Sequence, residues 1–162
     1  LIKWNYFALG ISSLYLFIGV LTHQIISNKV EDIYPKHDIK VMSGPFNGLS
    51  WRVLGKNKQE FFDGCINFTL DDVKINHAGN LNHQLISSDN VSRYGWFSNG
   101  WYQLERVGND IVLNDLRMGI SGKSVFRFKV GEIKNGSIIE VLPSRMPRAE
   151  IDFSKLSFVC KN

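Results

Sequence analysis

Polar and apolar positions divide the chain at about residue 29. From Trp4 to Asn28 there is no Asp, Glu, Lys or Arg, and Lys3 and Lys29 bracket 25 uncharged residues, with an almost unbroken apolar run from Phe7 to Thr22. At about 1.5 Å per helical residue this segment reaches about 37 Å, and a bilayer's hydrocarbon core is roughly 30 Å thick. One membrane-spanning helix is therefore predicted over residues 1–29. Trp4 and Tyr6 suit an interfacial aromatic anchor, and Gly10, Ser12, Ser13 and Gly19 are small residues that let another membrane helix approach closely. A secretory signal would need a shorter apolar stretch and a small-residue cleavage site, and none follows Leu21. The rival reading is a buried helix of a soluble protein, because Asn5, His23 and Gln24 dilute the segment.

After Lys29 the period changes. Residues 30–38 are charged and interrupted by Pro35, which reads as a short juxtamembrane linker. Short β-type runs follow at 39–43, 49–54, 60–68, 71–76, 101–107, 110–116, 124–130, 137–142 and 156–160, separated by turn signals such as Gly55-Lys56-Asn57-Lys58, Gly108-Asn109-Asp110 and Lys134-Asn135-Gly136. Phe126, Phe128 and Val130 form the predicted core face of the run 124–130. The stretch 78–95 lacks alternation, places Leu81, Leu85 and Ile86 at helical spacing, and offers Ser88-Asp89 as a cap, so one or two short helices are expected there. The fold class is α+β: one N-terminal transmembrane helix, then a mainly antiparallel β domain over residues 39–162 with one or two short helices.

Composition narrows the function. The chain has 162 residues, about one domain's worth, and 44% of them are hydrophobic. Nineteen Lys+Arg against 15 Asp+Glu give +4, but no run reaches four like charges, so nucleic acid is not an expected partner. Cys65 and Cys160, 95 positions apart, exclude a zinc ribbon and a multi-bridge framework; a single disulfide stays open. Lys29, Lys36 and Lys40 after the helix, against Lys3 before it, lean toward a cytoplasmic domain, whereas pairing of the two cysteines would argue for an oxidising side.

The common short catalytic signatures are absent. Among the four histidines, His37-Asp38 and the pair His77 and His83 are the only local groupings, and neither has the spacing or donor number of a metal site, so none is expected on this chain. His23 reads as an interfacial residue near the helix end. The denser signals are Ser43 to Leu54, Trp96 to Tyr102 and Asn114 to Gly119. On an extended strand Asp115 and Arg117 share a face, where they can pair with each other's neighbours or with Arg52. An ion-pair network closing one end of the sheet is the structural reading; a ligand site built on Asn47, Arg52, Asp115 and Arg117 is the functional one. Trp51, Trp96 and Trp101 are expected in the core.

The succession Pro45-Phe46-Asn47, Trp51-Arg52-Val53, Tyr94 to Tyr102, Asp115-Leu116-Arg117-Met118-Gly119 and Phe126-Arg127-Phe128 resembles the C-terminal region of the bacterial membrane-bound metal-dependent hydrolase family, YdjM type, over about residues 5–130. The tail 131–162 has no clear counterpart. The resemblance implies a bacterial inner-membrane protein in which several helices come first and carry His and Asp motifs that bind a divalent metal. The present helix would then be the last of several, with the lipid bilayer and those upstream helices as partners. Leu1 in place of an initiator Met fits the same expectation. None of the upstream motifs has a counterpart here, so the chain itself is expected to be an accessory domain with no catalytic residue and no metal ligand. The alternative is a single-pass membrane protein whose β domain is a non-enzymatic binding or interaction module.

Overall fold

The structure, a computed structural model, describes residues 2–44, 47–67, 72–120, 123–147 and 160. It is an α+β fold: one long apolar helix, two four-stranded antiparallel sheets, a two-stranded ribbon and a second, short helix. Helix α1 runs from Ile2 to Ile33. Nothing in its sequence interrupts it until Pro35, whose ring disfavours helical geometry in the residue before it. The chain turns there through a bond from His37 N–H to the Tyr34 carbonyl and enters β1 (Asp38–Gly44).

Two environments meet along α1. From Trp4 to Leu21 every side chain is exposed, in a helix long and apolar enough to cross a membrane. Ile26 and Val30, one turn apart, are 2% and 0% exposed and pack on Val41, Trp51, Val53, Phe62 and Ile66. Four residues expected as linker, Val30 to Ile33, are therefore helix. The charges at Lys29, Glu31 and Asp32 suggested an exposed connector, but Ile26 and Val30 carry the helix into the core of the β domain.

The first sheet is a meander, β1, β2 (Asn47–Lys56), β3 (Glu60–Asn67) and β4 (Lys74–Asn80), in that spatial order. Alternation sets its two faces. Val41, Trp51, Val53, Phe62 and Ile66 meet α1, while Arg52, Leu54, Phe61 and Asp63 point to the opposite side. The Phe62 ring lies over Gly55, where any Cβ would collide with it, and Tyr34 packs on the same ring at 4.7 Å. The run expected at 71–76 is displaced to 74–80. As an edge strand, β4 is exposed over most of its length and so shows no alternation in sequence.

A 3-10 turn (His83–Leu85) and α2 (Asp89–Ser98) follow. Ser88 caps α2 as expected, its hydroxyl accepting from Val91 N–H. The helix stops at Asn99 and Gly100, both at positive φ. The second sheet contains β5 (Tyr102–Val107), β6 (Asp110–Asp115), β9 (Arg127–Lys134) and β10 (Ser137–Arg145) in the order β10-β9-β6-β5; the ribbon β7 (Gly119–Ile120) and β8 (Lys123–Ser124) lies between β6 and β9 in sequence. Asn135 and Gly136, both at positive φ, form the two-residue turn of the β9–β10 hairpin. Val91, Leu104, Ile111, Leu113 and Val130 make the second core, and Phe61, Leu81 and Leu116 join the two sheets.

Two core expectations change. Trp51 and Trp101 are buried, but Trp96 is 84% exposed and Phe97 66%. Helix α2 buries Val91 and Ser98 and lays Gly95 against the Tyr102 ring, which leaves Trp96 and Phe97 on the outer side. Phe128 and Val130 are in the second core, whereas Phe126 precedes β9 and is 40% exposed. Of the run 156–160, only Cys160 lies within the described residues.

Candidate functional site

The residues singled out from sequence converge on the junction between the sheets. Arg52 stands on β2 and Asp63 on β3; the ladder pairs Arg52 with Cys65 and Leu54 with Asp63, so Arg52 and Asp63 are diagonal neighbours. The guanidinium grips the carboxylate with both sides of its fork, Nε donating to Oδ1 at 3.0 Å and Nη2 to Oδ2 at 2.8 Å. Its remaining reach crosses to the turn that follows β6 of the second sheet. Nη1 donates to the Arg117 carbonyl at 3.1 Å and Nη2 to the Leu116 carbonyl at 3.0 Å.

Asp115 and Arg117 pair with each other. Arg117 Nε donates to Asp115 Oδ1 at 3.0 Å and Nη2 to Oδ2 at 2.7 Å, and the Arg117 backbone N–H adds a third bond to Oδ1. The hydrogen bond to Asp115 is the main cause that pushes the Arg117 guanidinium above its ordinary range, with burial acting in the opposite sense. Arg117 also donates to the Phe97 carbonyl at 3.4 Å and lies 5.2 Å from the Phe97 ring centre. Leu116 N–H meets the Trp101 carbonyl at 3.0 Å. The Trp51-Arg52, Trp96 to Tyr102 and Asp115 to Gly119 blocks thus form one connected network.

Beside the network lies a cleft, open to solvent and lined by Arg52, Asp63, Asp115, Lys123 and Ser124 among others, whose volume of about 10 Å³ has room for about one water molecule. That is far below the roughly 300–1,000 Å³ of small-molecule pockets. Ser124 Oγ sits 2.8 to 3.2 Å from the carbonyls of Asp115, Met118 and Phe126, holding the ribbon against β6 through backbone acceptors. Both carboxylates at the cleft are engaged by arginines, and no group of three His, Cys, Asp or Glu suited to a metal occurs among the described residues.

Of the four residues expected to form a ligand site, Arg52, Asp115 and Arg117 come together, and the side chain of Asn47 lies outside the described residues. Arg52 and Asp115 do not pair directly. Arg52 is matched to Asp63, the residue that sequence reasoning missed. Its signal was there: a lone carboxylate in the apolar strand Phe61-Phe62-Asp63-Gly64-Cys65-Ile66, two positions from the residue facing Arg52. His83 stacks on Tyr102 at 4.0 Å and lies 2.8 Å from its carbonyl, a packing role. Cys65 and Cys160 are joined in a disulfide. Compared with known protein families, curated proteins and solved structures, the chain matches none.

Proposed function

We propose that the β domain is an accessory module of a larger inner-membrane protein of the metal-dependent hydrolase type, fixed to the bilayer by α1, framing access to a site that other segments supply. The observation that carries this reading is the convergence of the resembling blocks. Arg52, Trp101, Asp115, Leu116 and Arg117 are joined by hydrogen bonds within one inter-sheet clamp, as expected of residues that keep a domain in shape. The burial of Ile26 and Val30 adds a stiff link between that domain and the apolar span. The test is the open reading frame upstream of Leu1 together with metal analysis of the 162-residue chain. Upstream membrane helices bearing His and Asp, with no stoichiometric metal on the chain alone, are expected; tight metal binding by this chain overturns the reading.

A second reading, a single-pass protein with a binding module, is favoured by the exposed Trp96 and Phe97 on α2. An upstream frame without membrane helices would select it. Two indications of sidedness oppose each other: lysines after the helix favour the cytoplasm, and the Cys65–Cys160 bond favours an oxidising compartment. Alkylation of whole cells decides between them, since blocked thiols support the oxidising side and two free thiols the cytoplasm.

A further inference from the structure

The end of a membrane span is set by where the helix stops facing lipid on all sides, and α1 marks that point in its side chains. Trp4 to Leu21 is exposed all round, and these 18 residues rise about 27 Å, close to the thickness of a hydrocarbon core. At the end of this stretch Thr22 donates to the Ile18 carbonyl at 2.8 Å, which satisfies its hydroxyl within the helix itself. Polar partners begin immediately afterwards. His23 Nε2 lies 3.2 Å from the Val41 carbonyl, the His23 ring stands 5.5 Å from Trp51, and Gln24 donates to Asn28 at 2.8 Å. A helix buried in lipid as far as Ile33 would have to immerse Ile26 and Val30, which are covered by the first sheet.

Direction follows from the same contacts. Tyr34 packs on the Phe62 ring, and Phe62 pairs with Gly55, which pairs in turn with Ile39, while His23 reaches Val41 and the ring of Trp51, which pairs with Ser43. Strand β1 therefore runs back along α1 toward the span. Ser43, two residues past Val41 and exposed, lies up to about 7 Å nearer the bilayer than the His23 contact.

Resting on the membrane reading above, we propose that the bilayer surface crosses α1 at Leu21 to His23, and that β1, at Ser43, is seated on the phospholipid headgroups. The last three turns of α1 belong to the β domain. The occupant is lipid because this end is continuous with the lipid-facing surface of the helix that anchors it. Trp96 and Phe97 then face water or a protein partner.

The test is a nitroxide scan of the full chain in vesicles of phosphatidylethanolamine and phosphatidylglycerol, with both native cysteines replaced by Ser. Labels are placed at Leu16→Cys, Gln24→Cys, Ile25→Cys, Ser43→Cys and Trp96→Cys, and relaxation is measured with oxygen, which enters lipid, and a water-soluble nickel chelate, which does not. The expected result is nickel exclusion at Leu16, its loss by Gln24 and Ile25, a depth at Ser43 between those of Leu16 and Ile25, and full nickel access at Trp96. Nickel exclusion at both Gln24 and Ile25 overturns the boundary, and a Ser43 label as open to nickel as the Trp96 label overturns the seating on headgroups. Nickel access at Leu16 overturns the membrane reading itself, so the two failures are distinct. Unchanged circular dichroism of each labelled chain establishes that the fold under test is the native one.

Discussion

Replacing Arg52 with Ala removes four hydrogen bonds at once: two to Asp63 and one each to the carbonyls of Leu116 and Arg117. Asp63 is buried, with its side chain 3% exposed, and loses the fork that neutralises it. Breaking a buried pair by removing one partner costs about 3–5 kcal/mol. The Arg52 side chain is 19% exposed, so water moderates the pair, and about 3 kcal/mol is the appropriate end of that range. For a domain of this size that is a fall of about 10 °C in Tm. Arg52→Lys keeps the charge but not the fork and should fall between Ala and the native residue. The decisive variant is Arg52→Met with Asp63→Leu, which removes both members of the fork together and should melt above Arg52→Ala. The assay is near-ultraviolet circular dichroism of the full chain in non-ionic detergent, which follows the β domain's aromatic packing. An Arg52→Ala protein melting within about 2 °C of the native one, the range of an ordinary surface change, would refute the clamp and return Arg52 to the ligand-site reading.

Three further outcomes are expected. Asp115→Ala should cost about 2 kcal/mol, less than Arg52→Ala, because it strips one cation of its partner and Arg117, 20% exposed, can turn to water; a larger loss in urea titration than Arg52→Ala gives would contradict this. Val30→Ala should destabilise the β domain by about 2 kcal/mol, whereas Val20→Ala, on the exposed stretch of α1, should leave its thermal melt unchanged. Burial pushes the Tyr102 and Tyr94 phenols above their ordinary value, so the folded state holds these protons more tightly than the unfolded chain does. The resulting stability is complete below about pH 10 and lost as pH rises from there through the folded values; Tyr102→Phe should flatten that alkaline fall in Tm, and an unaltered slope would contradict it.

Legibility in the sequence followed how local each cause was. The apolar span, the Ser88 cap and the Asn135-Gly136 hairpin are each written in a few neighbouring residues, and all were readable. Strand β4 was displaced because an edge strand buries neither face and so leaves no period. Trp96 was expected inside because size alone suggests burial, yet the face of α2 is chosen by Val91, Gly95 and Ser98, whose roles depend on Tyr102 in another element. The candidate site was legible as a set of residues and not as a wiring. Arg52, Asp115 and Arg117 do meet, but which carboxylate takes which arginine depends on the β2–β3 register, and that register assigned Arg52 to Asp63.

The junction also explains why these polar residues sit together. Among the described residues, the buried apolar bridge between the sheets is only Phe61, Leu81 and Leu116, too small to hold two sheets at one angle by itself. Hydrophobic contact is non-directional, whereas a planar guanidinium is held in one orientation by a carboxylate on the first sheet and two carbonyls of the turn that leaves β6 of the second. Arg52 therefore transmits the position of the first sheet to the second, and α1 sets the position of the first through Ile26 and Val30. The path from α1 to Trp96 is then a series of stiff joints: helix to sheet, sheet to arginine, arginine to the Leu116–Arg117 turn, and Arg117 to the Phe97 carbonyl on α2. A domain meant to swing freely above a membrane would break that series with a flexible linker. Here the helix enters the core instead, so α2's exposed aromatic pair is held at a fixed place relative to the apolar helix.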